Sequence, residues 1–229
     1  MILKLFNSPE EMFLACSKDF INDVCHILTH KKYYDVAMLG GSSSKDFFLA
    51  INKHNPNKLP IRVFFSDERF VPTDNENSNA YTALKFLDID KNKIFPIYQK
   101  NLDLEQCAMN YENLLISMLD KNADNLPSFS TIYLGMGTDG HVASLFPEHE
   151  LLNDKESLVK SLNSPNINFA RITFCSKLIK ASNRVVIIAH GLEKKKIISN
   201  IISKEDKSDF YPVKKIIEEN MAKITFFMA

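Results

Sequence analysis

Asp139 and His141 stand two residues apart inside Thr131–Pro147, TIYLGMGTDGHVASLFP, among three of the six glycines in the chain. Imidazole is the side chain that takes up and releases a proton near neutral pH, so His141 suits a general base acting on water, and Asp139 is close enough to orient it. Glycine tolerates positive φ and lets a ligand approach the main chain. Gly135, Gly137 and Gly140 therefore mark a loop shaped for contact. Thr131–Leu134 just before it is a short β-branched and aromatic run of the kind that forms a buried strand. A carboxylate and an imidazole at the carboxyl end of such a strand lie where α/β proteins hold their ligands.

The other three glycines are Gly40, Gly41 and Gly191, so a chain sparing with glycine spends it in three places only. Gly40-Gly41-Ser42-Ser43-Ser44 follows an apolar strand, Val36–Leu39, and precedes a helix expected over Asp46–Lys53. Strand, glycine-serine turn and helix aim free backbone N–H groups and a helix dipole at an anion, which makes Gly40, Gly41, Ser42 and Ser43 candidate anion-binding positions. The spacing matches neither GxGxxG nor GxxxxGK[ST], so a dinucleotide or a nucleoside triphosphate is not supported. No serine lies in GxSxG and no histidine pair has metal spacing, which weakens serine-hydrolase and metalloenzyme readings.

Cations for an anion are scarce in kind. Arg69 is one of four arginines, with Arg62, Arg171 and Arg184, in a chain that otherwise uses lysine. A planar bidentate donor in a loop after a strand suits phosphate or carboxylate, and equally a salt bridge with Asp67, Glu68 or Asp74. Arg171 and Lys194, each taken alone, read as ordinary strand-edge and helix-start cations. Asp67 and Glu68 suit orienting an arginine or capping a helix better than acting as a base or a metal ligand. His26, His30, His54 and His149 suit surface or capping roles.

The elements that must position these residues alternate. Strands are expected at Ile2–Phe6, Val36–Leu39, Ile61–Phe65, Ile94–Ile97, Thr131–Leu134, Arg171–Phe174, Val185–Ala189 and Ile224–Met228, with a polar, irregular stretch from Pro147 to Leu158–Leu162. Helices are expected from Ser8, capped by that serine with Pro9 in its first turn, to about His30, then from Ala80, from Leu104 to Lys121, after Gly191 to Ser203, and over Lys214–Asn220. Ser66–Asn79 and Lys204–Ser208 read as polar loops. The pattern predicts a doubly wound, mostly parallel α/β sheet flanked by helices, Rossmann-like, with residues 1–229 in a single domain.

The 229 residues carry 28 basic and 28 acidic side chains, so nothing global points to nucleic acid or an anionic membrane surface. Cys16, Cys25, Cys107 and Cys175 form no CxxC pair and read as thiols of a reducing compartment. No stretch has the length of a membrane span or the form of a secretion signal, so a cytoplasmic protein is expected.

Taken together, the segments resemble the glucosamine-6-phosphate isomerase/6-phosphogluconolactonase family. The resemblance rests on Gly40-Gly41-Ser42, on Ser66-Asp67-Glu68-Arg69-Phe70-Val71-Pro72 with Asn77-Ser78-Asn79, and on Leu134–His141 with Ala143-Ser144-Leu145-Phe146-Pro147. Arg171-Ile172-Thr173 and Gly191-Leu192-Glu193-Lys194 complete it in order. Arg69 and the Ala-Ser-Leu-Phe-Pro continuation favour the lactonase branch over the deaminase branch. Two departures are the Gly-Gly-Ser-Ser-Ser turn, without the usual following proline, and a last strand without tryptophan.

The resemblance implies a carboxylic ester hydrolase opening 6-phospho-D-glucono-1,5-lactone to 6-phosphogluconate in the oxidative pentose phosphate pathway, with no cofactor or metal. His141 would be the base and Asp139 its orienting acid. Arg69 would face the oxyanion or the phosphate. Gly40, Gly41, Ser42, Ser43, Asp67, Gly140, Arg171 and Lys194 would bind substrate. Two other readings stay open: a glucosamine-6-phosphate deaminase with Asp67 as base, and a sugar-phosphate sensor without catalysis.

Overall fold

The computed structural model describes residues 1–165, 167–203, 210–220 and 223–229. Six strands form one parallel sheet: β1 (Ile2–Leu5), β2 (Tyr34–Met38), β3 (Ile61–Phe65), β5 (Thr131–Gly135), β8 (Val185–Ala189) and β9 (Ile224–Met228), in the order β1-β9-β8-β5-β2-β3. Every residue of β2, β8 and β9 is buried. Strands covered on both faces are the mark of helices packed on each side of a parallel sheet, and they read as continuous apolar runs.

A second, three-stranded antiparallel sheet stands beside the first, built from β4 (Asp67–Arg69), β6 (Val159–Leu162) and β7 (Arg171–Phe174) in the order β4-β7-β6. This sheet departs from the expected layout. The polar run after β3 was expected to be a loop, yet Asp67–Arg69 pairs in register with Arg171–Thr173. The expected strand at Ile94–Ile97 reduces to an isolated bridge between Ile94 and Val63, because β3 lies at the sheet edge and the chain there passes into turns.

The helices are α1 (Pro9–Ile27), α2 (Ser44–Asn52), α3 (Asn79–Phe86), α4 (Leu104–Met118), α5 (Ser176–Ala181), α6 (Leu192–Ile202) and α7 (Pro212–Asn220). Ser8 accepts from the Glu11 amide to start α1, and Asp103 with Gln106 closes a capping box on α4. The short helix α5 is not signalled in the sequence, and α1 stops three residues before His30. The loop expected over Lys204–Ser208 lies outside the described residues. α1 packs on α2 and α2 on α3, while α4 lies against β6 and β7.

The core is rich in aromatic rings. Phe20 meets Tyr34, Phe47 and Tyr133 edge-on, with centroids 5.7, 6.3 and 5.8 Å away. Phe129 stands between Phe64 and Phe174 at 5.5 Å from each. Edge-to-face and offset stacks of this kind contribute beyond the area they bury.

Chain progression sets where a ligand can enter. From β2 the sheet grows through β3 to one edge, and from β5 it grows through β8 and β9 toward the other. The loops leaving the carboxyl ends of β2 and β5 therefore part company, and the gap between them is the topological switch point at which open α/β sheets bind ligands.

One ion pair anchors the two strands on the β3 side. Asp35 on β2 is 2% exposed, and its carboxylate receives Arg62 Nε at 2.5 Å and Nη2 at 2.8 Å from β3. Removing one partner of such a pair leaves an uncompensated charge in the interior. Asp35→Ala is expected to lower unfolding free energy by about 3 kcal/mol, read from urea denaturation followed by circular dichroism.

Candidate active site

Two glycine loops and the start of the second sheet converge on the switch point. After β2, Gly40 passes so close to Asn79 that a Cβ there would stand 2.2 Å from its side-chain amide, and Gly41 adopts φ +75°. The Asn79 amide oxygen accepts from the Gly41 N–H at 3.4 Å, and its nitrogen donates to the Asp67 carbonyl at 2.8 Å. One asparagine at the start of α3 thus ties the loop after β2 to the segment after β3.

That segment is held by a buried acid. Glu68 is 1% exposed and accepts from four donors: the backbone N–H groups of Arg69, Asn79 and Ala80, and the Ser78 hydroxyl. Burial pushes its carboxyl up to about 7, against the pull of those hydrogen bonds. Its neighbours face outward to the site. Asp67 accepts from the Ser144 hydroxyl at 2.7 Å, and Arg69 donates from Nη1 to the Asn77 carbonyl at 2.8 Å.

After β5 the chain turns back on itself. Gly137 N–H donates to the His141 carbonyl, Gly140 N–H donates to the Gly137 carbonyl, and Met136 bridges Val142. Asp139 Oδ1 then accepts from the His141 backbone N–H at 3.1 Å and lies 2.6 Å from His141 Nδ1. Burial raises the Asp139 carboxyl, but the hydrogen bonds and charge of His141 outweigh it and hold it below its ordinary value. A charged Asp139 assigns the proton to Nδ1 and leaves Nε2 as the basic nitrogen. Phe146 packs against the ring, with centroids 4.8 Å apart.

These residues enclose a cleft of about 200 Å³. Of the residues expected from the sequence, Gly40, Gly41, Ser42, Ser43, Asp67, Arg69, His141 and Lys194 line it, and Asp139 stands behind His141. Ser66, Asn79, Gly135, Met136, Gly137 and Ala143 complete the wall. Burial lowers the Lys194 ammonium from its ordinary value, and among the described residues no carboxylate pairs with it.

Two expected positions lie elsewhere. Gly140 does not line the cleft: a Cβ there would stand 2.8 Å from the Tyr211 ring, and its carbonyl accepts from the Val213 N–H. Its role is to let the chain at α7 pack close beneath the loop. Arg171 lies in an adjoining hollow with Arg69, Asn77, Phe146, Ile167, Asn168 and Phe169. The antiparallel register of β4 and β7 sets it directly opposite Arg69. Burial first, then the charge of Arg69, lowers Arg171 from its ordinary value. Among the described residues neither arginine has a carboxylate ion pair, so the salt-bridge reading of Arg69 does not hold.

A parallel sheet whose switch point holds an imidazole backed by an acid, beside a glycine-serine turn at a helix start and cations without a carboxylate partner among the described residues, has the form of an α/β enzyme with its candidate active site at the carboxyl ends of the strands. The family model described as glucosamine-6-phosphate isomerases/6-phosphogluconolactonase matches residues 7–226, and the chain belongs to that family. A curated relative, 6-phosphogluconolactonase of Synechocystis, is 33% identical over 183 residues, which are 78% of this chain and 75% of the relative. The 6-phosphogluconolactonase of Chlamydia pneumoniae is 28% identical over 223 residues, 93% of this chain and 83% of that protein. Among solved structures, 6-phosphogluconolactonase from Trypanosoma brucei superposes with a TM-score of 0.87 at 23% identity, covering 99% of this chain and 95% of that one, and so shares the fold.

Gly137 makes the arrangement testable. A Cβ there would stand 2.3 Å from His141 Nδ1 and Cε1 and 2.6 Å from Asp139 Oδ1. Gly137→Ala is expected to remove the hydrogen-bonded Nδ1 proton signal of His141 from the NMR spectrum while shifting the thermal midpoint by less than about 4 °C.

Proposed function

We propose that the protein hydrolyses 6-phospho-D-glucono-1,5-lactone to 6-phosphogluconate, with His141 as general base. The observation that carries this is the Asp139–His141 pair at 2.6 Å, opening on the same cleft as Gly41, Ser43, Arg69 and Lys194. The family is one of sugar-phosphate enzymes by its description, and the lactonase names of the curated relatives point to this branch.

A lactone needs an activated water, a stabilised oxyanion and a proton for the leaving ring oxygen. His141 Nε2 takes a proton from water as the oxygen attacks the carbonyl carbon, and Asp139 holds the imidazolium that results. Arg69 lies within the cleft to face the developing oxyanion. Collapse breaks the bond to the ring oxygen, His141 returns its proton there, and the carboxylic acid that results releases its own proton to solvent and leaves as a carboxylate. Free water is consumed and the imidazole ends as it began.

The phosphate supplies grip at a distance from the reacting carbon. The uncapped start of α2, with the Gly41, Ser42 and Ser43 amides, and Lys194 at the start of α6 form one cationic wall. Arg171 extends the positive field from the adjoining hollow. Binding energy from this handle holds the carbonyl against His141, which is how a remote group serves catalysis. Four free thiols accord with a cytoplasmic setting, which belongs to the same proposal.

The deaminase alternative requires Asp67 to abstract a proton from carbon. One of its carboxylate oxygens is engaged by the Ser144 hydroxyl at 2.7 Å, an arrangement suited to a fixed acceptor. Ammonia release from glucosamine 6-phosphate, with no acceleration of lactone opening, would reverse the assignment.

In a coupled assay with freshly made lactone, corrected for spontaneous opening, His141→Ala should lose about a hundredfold in kcat and retain affinity for 6-phosphogluconate. Wild-type turnover in that variant removes His141 from the chemistry. Lys194→Ala and Arg171→Ala should each raise KM about tenfold with a smaller change in kcat, since their interaction is made equally in the ground and transition states.

A further inference from the structure

Helices α1, α2 and α3 all begin at a serine, but only two of those serines cap. Ser8 accepts from the Glu11 N–H and Ser78 from the Tyr81 N–H, each satisfying its own helix. Ser43, at the same position on α2, makes no side-chain cap. Its hydroxyl lies 3.2 Å from His190 Nε2, contributed by the chain 147 residues further on, just past β8. Ser43 is 6% exposed, and its hydroxyl makes no hydrogen bond to the helix it starts.

His190 is itself fixed. Its ring meets Phe13 of α1 edge-on with centroids 6.0 Å apart. Burial, and then the charge of Lys194 four residues on, lower His190 from its ordinary value, while Asp46 pulls weakly the other way. A neutral imidazole has one N–H to give. The turn from Gly41 to Ser44 is closed instead by Ser44, whose hydroxyl donates to the Gly41 carbonyl at 2.7 Å. The Ser43 hydroxyl is thus free of any local structural duty.

We infer that His190 is a positioning residue for phosphate: its Nε2–H donates to Ser43 Oγ and turns the Ser43 hydroxyl proton into the cleft. The inference rests on the reading that the phosphate lies against Gly41–Ser43. Two consequences follow from one hydrogen bond. Occupied by His190, the serine leaves the first amides of α2 uncapped for the anion. Held at its oxygen, the same serine adds a directed O–H donor to them.

The test measures 6-phosphogluconate affinity by calorimetry, together with kcat and KM for the lactone, in wild type, Ser43→Ala, His190→Phe, His190→Gln and the Ser43→Ala/His190→Phe double variant. Phenylalanine keeps the packing on Phe13 without a donor, and glutamine restores an N–H near the position of Nε2. His190→Phe should weaken 6-phosphogluconate about fivefold to tenfold with kcat within about twofold of wild type, and His190→Gln should recover most of that loss. In the Ser43→Ala background His190→Phe should add nothing, as expected of two residues acting through one bond.

Additive losses, or a His190→Phe variant that binds like wild type while Ser43→Ala is weakened, overturn the inference and leave the phosphate reading standing. Unchanged affinity in Ser43→Ala overturns the phosphate reading, and the inference with it. The 15N shift of His190 Nε2 in the wild-type protein gives an answer without any variant. A protonated Nε2 supports the assignment, and an unprotonated, accepting Nε2 refutes it.

Discussion

The hydrogen bond between Asp139 and His141 is the constraint on which the rest of the structure depends, because it demands that the chain after β5 fold back within two residues. A single carboxylate oxygen serves both the backbone and the ring of His141, which fixes the imidazole in place and in tautomer together. That closeness is possible only where Gly137 has no side chain, since any Cβ would occupy the space of the ring. The strand supplies rigidity, the glycine supplies room, and the acid supplies direction.

Glu68 does for the other wall of the cleft what Asp139 does for the His141 ring. One buried carboxylate gathers the ends of β4 and α3, and so sets Arg69 and Asn79 on either side of Asp67. Four donors on one acid is an arrangement suited to a charged group, yet burial works against that charge. The acid therefore belongs to the scaffold, and its outward-facing neighbours are left for chemistry.

Much of this was legible in the sequence because it is local. The apolar run of β5, the three glycines after it and the serine-rich turn after β2 announce themselves within a few residues, and the alternation of strands and helices announces the parallel sheet. What was hidden depends on distant partners. Asp67–Arg69 has two acids in three residues and no strand propensity of its own, so only pairing with β7, about a hundred residues away, makes it a strand. Gly140, as a glycine of this loop, was expected to contact a ligand, but the Tyr211 ring packs against it instead. The Ile94–Ile97 stretch has strand-forming residues and lies beside the edge strand β3, but the chain passes into turns after a single bridge. His190 ends an apolar strand in an unremarkable way, and nothing near it in sequence points to Ser43.

The Arg69–Arg171 pair carries a cost when the cleft is empty. Two like charges directly across a strand pair repel, and the half-buried ammonium of Lys194 adds desolvation without a counter-ion among the described residues. An anion that enters relieves that repulsion at the moment it gains its hydrogen bonds, so occupancy and folding become thermodynamically linked. Under the proposed function, the unliganded protein is then the more fragile form, and a bound sugar phosphate would also protect the chain against thermal unfolding and proteolysis.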